Sequence, residues 1–200
     1  MSIDIEHNKD VFISTYTKHI INNKDSCDTA GAIFLLDYLK QSDFFTAPCS
    51  TKYHLSEEGG LCQHSINVFN ALSAINVELT SLNKMVYPKS TIAIVSLLHD
   101  LCKIGTYKKE KRWRKNEENE WENYECYVYN EELPFGHSEK SVFIITSYMQ
   151  ITPYEAQAID GHMGFSDVRG SQLIGNIFTK NKLAVMLHLA DMVATYFMED

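Results

Sequence analysis

The stretch Ser96-Leu97-Leu98-His99-Asp100-Leu101-Cys102-Lys103-Ile104-Gly105 places an adjacent His-Asp pair at the end of a very apolar run, Thr91 to Leu98. Ionisable side chains are rarely fully buried unless they are paired or bound to a metal, so a His-Asp pair in this setting needs a reason. The run is too long for a typical buried strand and ends in Gly105, a residue suited to a helix C-cap. It predicts a buried helix from roughly Lys89 to Ile104. Neighbours on a helix project about 100° apart, so His99 and Asp100 could bend toward one ion. Lys103, four residues after His99, falls on the same face. Taken alone, such a pair reads more readily as a hydrogen-bonded core contact than as a metal site.

Outward from this segment the chain reads as helices. Asn8 to Ile21 has helical spacing through Val11, Phe12, Tyr16 and Ile20, with residues 1–7 before it as a frayed arm. Ser26 or Asp28 can cap a second helix whose buried stripe is Ala32, Ile33, Leu35, Leu36 and Leu39. Phe44-Phe45-Thr46-Ala47-Pro48 breaks it, and residues 49–60 form a loop containing His54. A third helix runs from about Leu61 to Ala74, with His64 between Leu61 and Val68 on its apolar face. Gly136-His137-Ser138-Glu139-Lys140 opens another helix. Thr152-Pro153-Tyr154-Glu155 is a capping box that starts the next, which ends near Asp160-Gly161-His162. A looser segment with Asp167 and Arg169 leads to a last helix from about Lys182 to Phe197, where His188 and Asp191 share a face.

Residues 107–130 differ in character. Tyr107 to Lys115 carries six of the eighteen basic residues, and five glutamates follow between Glu117 and Glu125. Trp113, Trp121, Tyr124, Tyr127 and Tyr129 are interleaved with these charges, which predicts a β-hairpin turning near Asn116-Asn119 and projecting from a helical body. The favoured reading of its charges is pairing across the strands in solvent. The alternative is a positive flap over an anionic substrate.

Composition limits the function classes. Two hundred residues, 44% hydrophobic and 22% charged, suit one globular domain spanning residues 1–200. A net charge of −8 argues against a protein that coats long nucleic acid. The acidic N-terminus has no signal-peptide core, no apolar stretch is long enough to span a membrane, and five cysteines without a CxxC read as reduced packing residues. The expectation is a cytoplasmic protein without a membrane partner.

In chain order the sequence offers His64, His99-Asp100, His137, His162 and Asp191, a donor set suited to one or two borderline divalent ions. With this order the chain resembles the HD-domain superfamily of metal-dependent phosphohydrolases. Gly59-Gly60-Leu61-Cys62-Gln63-His64-Ser65 is similar to the GGLLEHT-like segment of bacterial HD-domain exoribonucleases that act from the 3′ end. His99-Asp100-Leu101-Cys102-Lys103-Ile104 resembles HDLGK, with Cys102 where glycine is usual, and Leu187-His188-Leu189-Ala190-Asp191 resembles the closing segment. There is no GYP motif, so a cyclic-dinucleotide substrate is not supported. The OB domain of those exoribonucleases is also missing, so long nucleic acid is not expected.

The resemblance implies an all-α HD-domain bundle with the hairpin as an insertion. It implies that His64, His99, Asp100 and Asp191 hold one divalent ion, of Fe, Mn, Zn, Ni or Mg, and that Asp100 bridges to a second held by His137 and His162. Asp100 and Lys103 would be catalytic; Lys103, His54 and Arg169 would meet a small anionic substrate, a nucleotide or short oligonucleotide. Two other classes remain open: a di-iron oxygenase on the same fold, and a non-catalytic nucleotide-binding module.

Overall fold

A computed structural model describes residues 3–23, 28–82, 86–132, 134–167 and 169–199. The chain is mainly helical, and among the described residues its strands are confined to one antiparallel hairpin. The helices are α1 (Ile5–Tyr16), α2 (Thr29–Gln41), α3 (Gly60–Ser81), α4 (Lys89–Leu98), α5 (His137–Tyr148), α6 (Pro153–Asp160), α7 (Ser171–Lys180) and α8 (Lys182–Val193). The hairpin strands are β1 (Tyr107–Lys115) and β2 (Trp121–Tyr129). π-helical turns at Thr17–Ile21 and Ala194–Met198 prolong α1 and α8.

The N-terminus departs from a frayed arm. Asp4 accepts a hydrogen bond from the His7 N–H and caps α1, so residues 5–7 are already helical. Ile5 packs over Gly59, where a Cβ would lie 2.8 Å from its Cγ1. Asp28 caps α2 by accepting from the Gly31 N–H; the alternative cap, Ser26, lies outside the described residues. Ile33, expected in the buried stripe of α2, is 43% exposed. The break after α2 turns because Phe44 and Phe45 fold back on Phe12, with ring centroids 4.8 and 5.6 Å away.

Three further elements depart from the periodicity reading. α3 continues past Ala74 to Ser81, where Asn76 holds the backbone of Tyr87 by donating to its carbonyl and accepting from its N–H. α7 occupies part of the segment that read as loose. Gly170 and Gly175 mask its pattern, yet Ile174 and Ile177 bury one face. The third difference decides the site. α4 stops at Leu98; the chain leaves it at Asp100 (φ −108°, ψ 22°), makes a 3-10 turn over Leu101–Lys103 and reverses at Gly105 (φ +64°). Ser96 and Thr106 tie this corner to backbone carbonyls of Ile92 and Cys102.

The core is one continuous set of buried side chains, including Phe12, Leu35, Leu72, Leu97, Leu98 and Leu187. α4 runs through its middle, flanked by α3, α6 and the π-turn of α1. Its apolar residues therefore fix the depth at which His99 and Asp100 emerge. Loop 49–58 crosses the start of α3 at Gly60. A Cβ there would lie 2.1 Å from the Leu55 carbonyl oxygen, so only glycine allows the approach.

Candidate metal centre

The centre is built around the two oxygens of Asp100. His99, the last residue with helical geometry in α4, donates its Nδ1–H to the Ser96 carbonyl at 2.8 Å. A carbonyl can only accept, so in the neutral ring Nε2 carries a bare lone pair. His64, on α3, points its Nδ1 at the Glu199 carboxylate, 2.9 and 3.1 Å from its two oxygens. Its Nε2 lies 3.3 Å from Nε2 of His99, 3.2 Å from Asp191 Oδ1 and 3.7 Å from Asp100 Oδ2; His99 Nε2 is 3.5 Å from the same Oδ2. On the other side, Asp100 Oδ1 is 2.9 Å from His137 Nε2 and 3.5 Å from His162 Nε2. His162 is oriented like His99, its Nδ1–H donating to the Ile159 carbonyl at 2.7 Å. His64, His99, Asp100 and His162 are all at most 3% exposed.

The expected six residues thus converge. They come from α3, the end of α4, the start of α5, the turn after α6, and α8. Lys103 arrives differently from the one-turn stacking expected of a continuous helix: the 3-10 turn brings its Nζ to 2.6 Å from Asp100 Oδ2 and 3.2 Å from Cys49 Sγ. His54 lies in the loop with Nε2 3.4 Å from Cys49 Sγ and 3.9 Å from Glu199 Oε2, beside an open cleft of about 660 Å³ walled by Tyr53, Thr195 and Tyr196. Arg169 is not a free phosphate-binding cation. Its guanidinium is held by Asp160, Asp167 and Glu139 at the wall of a cavity of about 110 Å³ that it shares with His137.

Several participants carry no signal in the sequence. Glu199 receives the His64 N–H and an Asn67 amide N–H, and Asn67 is linked through Gln63 to Asn8 of α1. No periodicity marks a carboxylate beyond the last helix. Cys49 and Cys102, read as packing residues, also approach the centre; Cys102 Sγ is 3.4 Å from His137 Nδ1. Burial pushes the Cys102 thiol up to about 12 and raises Cys49 as well, which keeps both protonated unless a metal displaces the proton. His188 fulfils a supporting role: its Nδ1–H donates to the His162 carbonyl at 2.8 Å, and its ring fills the space over Gly164 (φ +59°), where a Cβ would lie 2.4 Å from Cε1.

The electrostatics favour a cation. Burial works against ionised Asp100, but the Lys103 ammonium and the surrounding imidazoles hold it well below the usual carboxylate range. Asp191 is lowered in the same way, chiefly by His64 once burial is overcome. Burial disfavours a charged His64, yet the hydrogen-bonded carboxylates of Asp191 and Glu199 push it well above the ordinary histidine value. Burial lowers His99 to about 4. Two Nε2 lone pairs 3.3 Å apart repel unless something positive lies between them. A proton on His64 answers this in part. A divalent ion answers it fully, since ligands about 2.1 Å from a tetrahedral ion sit roughly 3.4 Å from one another. The residues present fit such an ion. The sets His64–His99–Asp191 and His99–Asp100–His162 each bring their donor atoms within 4.8 Å of one another, as do Asp100–Cys102–His137.

No family model, curated protein or solved structure matches this chain. Among the described residues no helix is long and apolar enough to cross a membrane.

Proposed function

We propose that the chain is a metal-dependent hydrolase of a phosphate ester, acting on a nucleotide or short oligonucleotide, with an HD-type helical fold. The observation that carries this reading is the division of Asp100: one oxygen faces His64 and His99, the other faces His137 and His162. Bound there, one or two divalent ions would lower the pKa of a coordinated water and neutralise phosphoryl oxygens. His64, His99, Asp100 and Asp191 would hold one; Asp100, His137 and His162 a second.

The chain's own residues supply the rest. Glu199, the Ser96 carbonyl and the Ile159 carbonyl fix the ring orientations of His64, His99 and His162, keeping each Nε2 aimed at the centre. Lys103 keeps its ammonium because Asp100 overcomes the cost of burial. It can stabilise negative charge as it builds on the non-bridging phosphoryl oxygens. Burial lowers His54, so it faces the cleft as a neutral imidazole able to hydrogen-bond a substrate group. The fixed ammonium beside Asp100 favours an anionic substrate, and so a hydrolase over a di-iron oxygenase.

The test combines metal content with a substrate panel. The protein is loaded in turn with Mn²⁺, Fe²⁺, Zn²⁺, Ni²⁺ and Mg²⁺ and offered aryl phosphomonoesters and diesters, nucleoside monophosphates and short oligonucleotides. Turnover that a chelator stops and Asp100→Ala abolishes is expected. Absence of turnover with every ion and ester refutes the hydrolase, and oxygen-dependent turnover with iron establishes the competing chemistry.

A further inference from the structure

The two faces of the hairpin differ. Directly paired residues share a face, so the register Lys109↔Tyr127, Lys111↔Glu125, Trp113↔Asn123 and Lys115↔Trp121 puts lysines and aromatic rings together on one side. The other side carries Lys108, Glu110, Arg112 and Arg114 opposite Val128, Cys126, Tyr124 and Glu122. There every cation is matched by a carboxylate: Lys108 and Arg112 with Glu110, at 3.3 and 3.5 Å, and Arg114 with Glu122 at 2.6 Å. On the first face Lys109 pairs with Glu58, but among the described residues neither Lys111 nor Lys115 has a carboxylate within 4 Å. Glu125 is the one acidic strand residue on that face. Trp113 and Trp121 stand there 63% and 66% exposed, with Lys115 5.8 Å from the Trp121 ring centroid and Lys109 5.5 Å from that of Tyr127.

We propose that this face of the hairpin binds a single-stranded oligonucleotide whose end lies in the metal centre. An aromatic ring flanked by lysines offers a base something to stack on and its phosphates something to neutralise, with no demand on sequence. On the opposite face the three cations share two carboxylates, and Arg114 also lies 5.0 Å from the Tyr124 ring centroid, so each cation there is already engaged. The face is also continuous with the centre: β1 begins four residues after Lys103, and the Lys109–Glu58 pair joins it to the loop that carries His54. Nine strand residues span about 30 Å, room for a handful of nucleotides, the low end of what such platforms hold. Glu117, Glu118 and Glu120 at the tip close the track, which keeps the ligand short. This inference rests on the hydrolase reading for the position of the strand's end but not for its binding.

Binding is therefore measured without turnover, by fluorescence anisotropy of labelled, phosphorothioate-linked U₈, dT₈ and the matching dinucleotides, with chelator present. Both octamers, or one of them if the sugar matters, should bind at least about tenfold more tightly than the dinucleotide. Trp113→Ala with Trp121→Ala should weaken octamer binding by about tenfold or more. Lys111→Gln with Lys115→Gln should lower the salt dependence by about one to two counter-ions. Arg112→Gln with Arg114→Gln, on the opposite face, should stay within about twofold of the parent protein. All six positions are exposed. The proposal is overturned if octamer and dinucleotide bind alike, if the tryptophan pair has no effect, or if both faces respond equally. It also falls if the tryptophan pair alters only self-association in sedimentation, which would make the face an interface between copies. Because no step is catalytic, octamer binding stands or fails independently of phosphoesterase activity.

Discussion

Replacing Lys103 by methionine removes the ammonium that faces the buried carboxylate of Asp100 while keeping most of the side chain's length. The pair is close, 2.6 Å, with side chains only 12% and 4% exposed. Removing one partner of a buried pair leaves an uncompensated charge at a cost of about 3–5 kcal/mol. His137 still reaches Oδ1 at 2.9 Å, which favours the lower end. In a chain of this length each kcal/mol moves Tm by about 2–4 °C, so the metal-free variant should melt about 6–12 °C below the parent. With Mn²⁺ in excess the loss should shrink to a few degrees, because the ion supplies the positive charge that the ammonium supplied. By linkage the variant then binds Mn²⁺ more tightly, by up to about a hundredfold if the whole cost is recovered. The assay is a pair of melting curves, in chelator and in saturating Mn²⁺, with affinity from competition against a metal indicator. Equal losses in both conditions would show that Lys103 and the ion do not share Asp100, and the placement of the centre would have to be abandoned. On a phosphoester the same variant should lower kcat by about 10²–10³-fold and change KM much less.

Asp100→Ala should remove the ion held with His137 and His162 and weaken the one held by His64, His99 and Asp191, since both lose the carboxylate they would share; undiminished binding of two ions by the folded variant would contradict the bridging role. Glu199→Gln should keep the fold but lower metal affinity by about 10–100-fold, because His64 loses the carboxylate that receives its N–H; an unchanged affinity in titration calorimetry would make Glu199 a packing residue. Metal affinity should fall as pH drops through the raised His64 pKa, because the ion must displace that proton; indicator titrations across pH read this directly. Metal-free stability should decline as pH falls from 6.5 toward 4. The unfolded chain protonates at His99 in that window while the folded chain, with His99 held down to about 4, does not. Unfolded His64 and His162 protonate over the same window while their folded counterparts, both raised, are already charged, which offsets a small part of the decline; Asp100 and Asp191, both lowered, stay ionised in the fold and add to it as the unfolded carboxylates protonate at about pH 4. A flat urea-denaturation profile over that range would refute the assignment.

Much of the helical order could be read from spacing because burial acts on one face at a time. The capping box at Thr152 and the stripe Phe12–Tyr16–Ile20 are local statements, and both hold in the structure. The end of α4 could not be read this way. Leu98, His99 and Asp100 continue a helical pattern in sequence, and the turn at Asp100 is set by what packs around it. The same holds at the centre. His64, His99, His137 and His162 announce themselves as histidines in apolar or glycine-flanked settings, whereas Glu199 and Cys49 matter only because the chain returns to His64 and Lys103 from far away. Arg169 illustrates the reverse error. Its charge looked available, and three carboxylates that cannot be paired from sequence consume it.

The donors of the centre are drawn from five separate segments, between His64 and Asp191. Without an ion, each of these segments can open on its own, and the short α6 and the turn after it, holding His162 in place, are the natural place for that to start. A cation gripped by all of them links their opening into a single event. Amide exchange should then lose its spread: the slowest and fastest of these five segments should converge on one rate when the ion is bound. Loading the centre would thus make the bundle behave as one cooperative unit, so that a protease finding a loose end in the empty protein finds none in the loaded one.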